Sequence, residues 1–281
     1  VGSRNMIVHG GETLLRDDIG EIVDYLKSKP IYISLVTNGV LFPSKINELR
    51  GVDNLCISLD GREENNDLNR GKGSFKHAMN AIKLAKSEGF RLRVSATLTR
   101  NNRNDIKYLV DLASEMGFIL SFSLLYKPMP NYPDMVLDDA EIREILKEIL
   151  LYKKQGYPIQ ADEMVWENAI NWPFPFSEKS RLMEYEIPKT FKHIPCQYGT
   201  KKIIVDADGR VFPCFPLNTT FPALNLRDVG LKKAYNHILN SERCSACSYL
   251  SINEYNMTLG LNPKGLLNQC KVNLKELLKK F

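Results

Sequence analysis

The sequence predicts an α/β protein built on a parallel sheet, followed by a smaller cysteine-rich region. Three observations carry this. Short β-rich apolar runs alternate with amphipathic helical patterns from the start to about residue 160. The β-then-α unit recurs at roughly 30 residues, the length needed for two parallel strands and a right-handed crossover helix. Five of the six cysteines lie in the last third, at Cys196, Cys214, Cys244, Cys247 and Cys270. Units of this kind close either as a barrel or as a doubly wound sheet.

Taken in order, the runs at 5–9, 31–36, 54–59, 91–98 and 119–126 are each long enough for a buried strand. Between them, residues 16–27, 44–49, 75–88 and 105–116 carry apolar side chains at three- and four-residue steps, as at Ile19, Ile22, Val23 and Leu26. Pro30, Gly89 and Gly117 each stand after a helical pattern and before a strand, where chain breakers belong. A further amphipathic helix is predicted over 138–154, followed by the aromatic-rich Trp166, Trp172, Phe174 and Phe176. Large aromatics mostly fill cores, so packing is the expected role of these four. The expected division is a barrel segment over 1–126, a helical connector covering the barrel mouth over 127–194 and a cysteine-rich domain over 195–281.

Composition narrows the function classes. The 281 residues are 43% hydrophobic and 25% charged, enough for a sizeable core, and contain no apolar run long enough to span a bilayer. The net charge of +5 is dispersed, with only Lys279-Lys280 as a small terminal cluster, so attraction to nucleic acid or a membrane is only weakly signalled and no nucleic-acid partner is expected. There is no signal peptide, and a cytoplasmic location is expected. Val1-Gly2-Ser3-Arg4 reads as the tail of something that began earlier.

The cysteines have the layout of a metal site. Cys244-Ser245-Ala246-Cys247 is a CxxC, and Cys196 and Cys214 flank a hairpin-like stretch at 201–212 with an Asp206-Ala207-Asp208-Gly209 turn. Two thiolates three residues apart can reach one metal centre while two more arrive from separate loops. That makes a four-ligand shell suited to zinc or to an iron–sulfur cluster, and spacing alone does not choose. A thioredoxin-like pair lacks its strand-to-helix context at Cys244. Disulfides are not needed in a chain of this size. Cys56, inside an apolar run, reads as core.

In either sheet architecture the chemistry belongs at the carboxyl ends of the strands. The first three runs end in His9-Gly10-Gly11-Glu12, Thr37-Asn38-Gly39 and Ser58-Leu59-Asp60-Gly61. Glycine admits a ligand to the backbone, and exposed amides and carbonyls can bind amino or carboxylate groups. Glu12, Ser58 and Asp60 add side-chain acceptors. Asn-Gly and Asp-Gly are ordinary turn dipeptides taken singly. Three such tips in succession on one rim point to a binding site.

These residues resemble a family, the radical SAM enzymes with a C-terminal SPASM or twitch extension. Gly10-Gly11-Glu12-Thr13-Leu14-Leu15 is similar to the family's Gly-Gly-Glu-Pro-Leu-Leu motif, with Thr13 in place of proline. Ser58-Leu59-Asp60-Gly61 followed by Arg70-Gly71-Lys72-Gly73-Ser74-Phe75 resembles the matching segment of sulfatase-maturing and peptide-modifying members. The resemblance implies a partial (β/α)6 barrel of radical SAM type, its first β/α unit missing, with a small twitch/SPASM-like subdomain. It implies that Gly10, Gly11 and Glu12 hold the methionyl amino group of S-adenosylmethionine. Ser58 and Arg70 would meet its ribose or carboxylate, a guanidinium being suited to clamp a carboxylate. Thr37 and Asp60 would lie nearby, with Leu125 and Tyr126 against the adenine.

By the same resemblance Cys196, Cys214, Cys244 and Cys247 are the ligands of an auxiliary [4Fe–4S] cluster that transfers electrons. Cys270 is then a buried thiol or an alternate ligand. The family's CxxxCxxC is absent, since no cysteine precedes Cys56. The expectation is a missing leading segment that carries a second [4Fe–4S] cluster, which leaves residues 1–281 inactive by themselves; a naturally degenerate protein is the alternative. The whole enzyme would generate a 5′-deoxyadenosyl radical and abstract hydrogen from a peptide or protein side chain or a small molecule. Ferredoxin or flavodoxin would serve as electron donor. No single catalytic residue is named by these motifs. A non-catalytic S-adenosylmethionine or iron–sulfur binding scaffold, and a zinc-stabilised α/β barrel of other activity, remain as alternative functions, because fold does not fix function.

Overall fold

The computed structural model describes residues 2–125 and 133–260. The readings at Tyr126, Cys270 and Lys279-Lys280 lie outside the described residues. The chain forms two compact units, Val1–Gln160 and Ala161–Phe281. Among the described residues no helix is long and apolar enough to cross a membrane.

The first unit carries five parallel strands, β1 (Asn5–Val8), β2 (Tyr32–Thr37), β3 (Asn54–Ser58), β4 (Leu92–Leu98) and β5 (Ile119–Leu124), each paired with the next in chain order. A doubly wound sheet reverses its strand order at a switch point. The unbroken order here is that of a partial parallel β/α barrel. A sixth rung follows, where Leu120 N donates to the Pro158 carbonyl (2.9 Å) and Gln160 N donates to the Leu120 carbonyl (2.7 Å). Leu35, Leu55, Ile57, Val94, Ala96 and Leu120 are buried in the sheet. Fully burying one such Leu, Ile or Val contributes roughly 1.5–3 kcal/mol.

The crossovers pack as their apolar stripes require. Helix α1 (Ile19–Lys27) buries Ile19, Val23 and Leu26. Its start lies three residues later than the apolar pattern, and in the intervening turn the Arg16 guanidinium folds back onto the Asp18 carboxylate at 2.6 and 2.8 Å. The next crossover is α2 (Phe42–Lys45), continued by a 3-10 turn over Ile46–Leu49. Helix α3 (Glu63–Arg70) buries only Asn66 and has no apolar face to read. Helix α4 (Ser74–Ser87) buries Ala78, Ala81, Ile82 and Ala85. Helix α5 (Ile106–Met116) ends at Gly117, whose φ of 72° is the left-handed conformation glycine adopts without strain. Helix α6 (Asp139–Lys154) opens with a capping box: Asp138 accepts from Glu141 N, and the Glu141 carboxylate accepts from Asp138 N. This helix lies in the first unit, between β5 and the sixth rung.

The second unit begins with α7 (Glu163–Ile170) and the strand β6 (Arg181–Leu182). Trp166, Trp172 and Phe176 are buried, and Trp172 stacks edge-on to Phe191 with its indole N–H on the Lys179 carbonyl. An antiparallel hairpin, β7 (Ile204–Val205) and β8 (Arg210–Phe212), turns through Asp206–Gly209 and takes β9 (Leu224–Asn225) as third strand. Gly209 has a φ of 91°, which explains glycine at that turn. Then come α8 (Leu226–Val229), α9 (Leu231–Leu239), β10 (Ala246–Cys247) and α10 (Leu250–Leu259).

Candidate functional site

At the first barrel tip, Glu12 is a bracket between strands. One carboxylate oxygen accepts from Leu14 N (2.9 Å) and from the Thr37 hydroxyl (2.7 Å), and the other accepts from Asn38 N (2.7 Å). The tips of β1 and β2 are thereby tied together, and Thr37 in turn accepts from Gly39 N (3.1 Å). Gly10 and Gly11 differ from these. A Cβ on either would meet nothing within 4 Å, and neither has a positive φ. Nothing inside the described residues demands glycine there, so the backbone faces open space. Thr13 buries its hydroxyl oxygen without a hydrogen-bond partner among the described residues.

The third tip is organised around Asp60, which is 2% exposed. Its carboxylate accepts from Thr97 N (2.8 Å), from the Arg70 guanidinium (2.8 Å) and from the Asn69 amide (3.4 Å). Its own N–H donates to Asn66, and its carbonyl accepts from Asn102 (2.7 Å). Asn102, fully buried, also donates to the Thr97 carbonyl and accepts from Thr99 N, so one amide fastens the tips of β3 and β4. Next to it, the buried Asp105 carboxylate holds Arg62 through backbone and guanidinium. A Cβ on Gly61 would lie 2.3 Å from the Asp105 oxygen, which explains glycine at 61.

Of the expected rim residues, the structure therefore pairs Glu12 with Thr37 and Asp60 with Arg70. Ser58 sits half-buried at the end of β3, and Leu125 follows β5 with its N–H on the Leu98 carbonyl (3.3 Å). Asn66, Asn69, Asn102 and Asp105 were not anticipated from sequence. The polar run Thr99-Arg100-Asn101-Asn102 directly after β4 was the available signal.

The second candidate site is the cysteine cluster. Strands β6 and β10 pair antiparallel, placing Cys247 opposite Arg181. Ser245 N donates to the Leu182 carbonyl (2.8 Å), and the Ser245 carbonyl accepts from Cys196 N (2.9 Å), pinning the Cys196 loop to the CxxC. Cys214 and Cys247 share a buried cluster with Tyr198 and Ile252, against which Cys196, Tyr249 and Tyr255 pack. All four thiols are free. A buried amide chain supports them: Asn253 donates to the Cys247 carbonyl (2.7 Å) and to Asn168 (3.2 Å), and Asn256 donates to Asn253 while accepting from Gln197 N (2.8 Å).

The thiols are electrostatically coupled. The hydrogen bond from Cys244 holds the Cys196 thiol below its ordinary value and pushes Cys244 up. Burial pushes Cys214 up to about 12 and Cys247 up as well, and the Arg181 guanidinium pulls both back. Metal binding has to displace those protons. Among the described residues no three Cys, His, Asp or Glu side chains close around a single ion position. A tetranuclear cluster attaches each thiolate to a different iron, so it needs four cysteines gathered in one pocket rather than aimed at one point. Four undisulfided, mutually coupled thiols beside a guanidinium fit that donor chemistry.

Residues 1–113 match the model of the radical SAM superfamily. The match takes in β1 to β4 and the crossovers between them. Among sequence relatives, the mycofactocin maturase MftC of Mycolicibacterium smegmatis is 35% identical over 241 residues, covering 82% of this chain and 57% of the maturase. The AdoMet-dependent heme synthase of Methanosarcina barkeri is 27% identical over 232 residues, covering 76% of this chain and 63% of the synthase. The chain thus spans about three fifths of the length of these relatives. A solved structure of anSMEcpe with bound AdoMet superposes with a TM-score of 0.60 at 20% identity, over 86% of this chain and 64% of that one, a likeness of fold.

Proposed function

We propose that this chain forms part of a radical SAM enzyme, supplying the strand-tip surface for S-adenosylmethionine and, in its second unit, the ligands of an auxiliary [4Fe–4S] cluster. The observation that carries the reading is the pair Gly10 and Gly11, glycines that no packing among the described residues explains, at the tip of β1 in a barrel that matches the radical SAM model. In this reading their backbone receives the methionyl amino group, while Ser58 and the Arg70 guanidinium face the ribose or carboxylate. The Glu12 carboxylate already accepts three bonds, from the turn after β1 and from the end of β2, so its work is to fix the shape of the tip as well as its charge. Asp60 holds Arg70 in place in the same manner.

When bound, the cluster–S-adenosylmethionine pair supplies a radical able to abstract hydrogen, and the protein supplies orientation and exclusion of water. The three-cysteine motif that would hold the cleaving cluster does not occur within residues 1–281. Cys196, Cys214, Cys244 and Cys247 would fill a four-ligand shell, which suits electron transfer better than substrate binding. A peptide side chain is the substrate class favoured here, from the likeness to a mycofactocin maturase, with a small molecule second, from the likeness to a heme synthase. A soluble one-electron donor such as ferredoxin or flavodoxin completes the scheme.

The test is equilibrium dialysis of labelled S-adenosylmethionine against the anaerobic chain and its Gly11→Val variant. A Cβ at 11 meets nothing, so melting should be unchanged while affinity falls about tenfold or more, 1.4 kcal/mol for each factor of ten. Equal affinity in both proteins would remove the β1 tip from the site.

A further inference from the structure

The β6–β10 ribbon holds a cation whose setting the rest of the fold does not explain. In an antiparallel pair, residues directly opposite share one face, with Cβ atoms about 4.5–5.5 Å apart. Cys247 and Arg181 are such a pair. The ribbon is fixed on both sides, by Ser245 N on the Leu182 carbonyl (2.8 Å) and Ser248 N on the Ser180 carbonyl (3.0 Å). Two other cations of the unit do find carboxylates: Lys179 binds Glu186 at 2.6 Å, and Arg210 binds Asp208 at 2.5 Å. Among the described residues no carboxylate forms an ion pair with Arg181. Its charge reaches Cys214, Cys244, Cys247 and Tyr249.

A half-buried guanidinium without a carboxylate is costly unless something else supplies negative charge. Neutral thiols do not. Four thiolates around an iron–sulfur core do, and the charge grows by one unit when the core takes up an electron. No bond or proton moves in that step; one electron passes from a donor into the cluster.

We infer that Arg181 is the built-in counter-charge of the four-cysteine site, a positioning residue that raises the one-electron potential of the cluster bound there. The inference rests on the reading of Cys196, Cys214, Cys244 and Cys247 as cluster ligands. A fixed cation at this range favours the more negative, reduced state, because solvent screens a partly buried pair less than an exposed one. It would make the auxiliary cluster a better acceptor for an electron leaving a substrate radical.

The test compares the anaerobically reconstituted chain with Arg181→Gln and Arg181→Lys, measuring iron and sulfide content and titrating the cluster potentiometrically with its reduced-state EPR signal. Arg181→Gln should keep about four irons per chain and shift the potential down by about 59 mV, tenfold in a one-electron equilibrium. Arg181→Lys should stay near the parent. A loaded Arg181→Gln with the parent's potential overturns the inference. If Arg181→Gln does not load, Arg181→Lys decides: loading with the parent's potential supports the charge role, and failure of both makes the side chain structural and overturns it. A parent chain that takes up no iron and sulfide instead overturns the ligand reading beneath, a distinct outcome.

Discussion

The two candidate sites treat their polar groups in opposite ways. On the barrel rim, Glu12 and Asp60 each accept three bonds from the protein itself, and Asn102 spans two strand tips. In the cysteine cluster, buried thiols are pushed away from the thiolate form and a guanidinium stands beside them with no carboxylate paired to it among the described residues. The two rim carboxylates are satisfied without a ligand, and the backbone at Gly10 and Gly11 is left open. The cluster is electrostatically incomplete and offers charge. Cofactor loss should therefore hardly change the stability of the first unit but should weaken the second.

The sharpest way to break that contrast is Cys247→Ala. Reconstituted iron should fall from about four per chain to below one. Hydrogen exchange should speed up across residues 161–260 while residues 2–125 keep their protection. Loss of protection in both units would show that the barrel also leans on the cluster. The complementary change is Asp60→Ala, which strands Arg70 and removes the acceptor of Thr97 N. Breaking a buried pair costs about 3–5 kcal/mol, and the lower end applies because Arg70 is 26% exposed. Denaturant unfolding of the first unit should show it, with iron content unchanged.

The smallest expected effect concerns acid. The bond from Asp138 N, with Arg100 beside it, holds the Glu141 carboxyl below its usual range. A carboxyl lowered on folding stabilises above its unfolded value, about 4.3, and that contribution is lost as pH falls through the folded value. Glu141→Ala, which removes the acceptor of Asp138 N and the partner of Arg100, should cost about 1 kcal/mol near neutrality, and the difference from the parent should shrink below pH ~4. A difference that holds constant down to pH ~3 would mean that the box does not act through the Glu141 charge.

Much of the barrel was legible in the sequence. The five runs named from the sequence contain β1, β3, β4 and β5 and all of β2 but Thr37, because the buried positions of each strand need apolar residues. Consecutive strand order was not legible, since the same β–α alternation serves both a barrel and a doubly wound sheet. Helix α3 was not legible because its only buried residue is Asn66, and α9 and α10 because the first buries only Ala234 and Ile238 while the second buries Asn253 and Asn256 beside its apolar residues. The glycine tips and the four cysteines were visible as residue types at strand ends and in a CxxC. Their supports, Asn102, Asp105, Asn253 and Arg181, were not, because each acts through a partner remote in sequence, as Asn102 does on Asp60. Single-residue motifs announce donors to a ligand, whereas the side chains that hold those donors are defined only by pairing.

The central claim is that the second unit is built around an iron–sulfur cluster. The direct measurement is iron, sulfide and zinc content of the 281-residue chain after anaerobic reconstitution, with an absorption spectrum. The account predicts about four irons and four sulfides per chain and negligible zinc. Stoichiometric zinc without sulfide would contradict it.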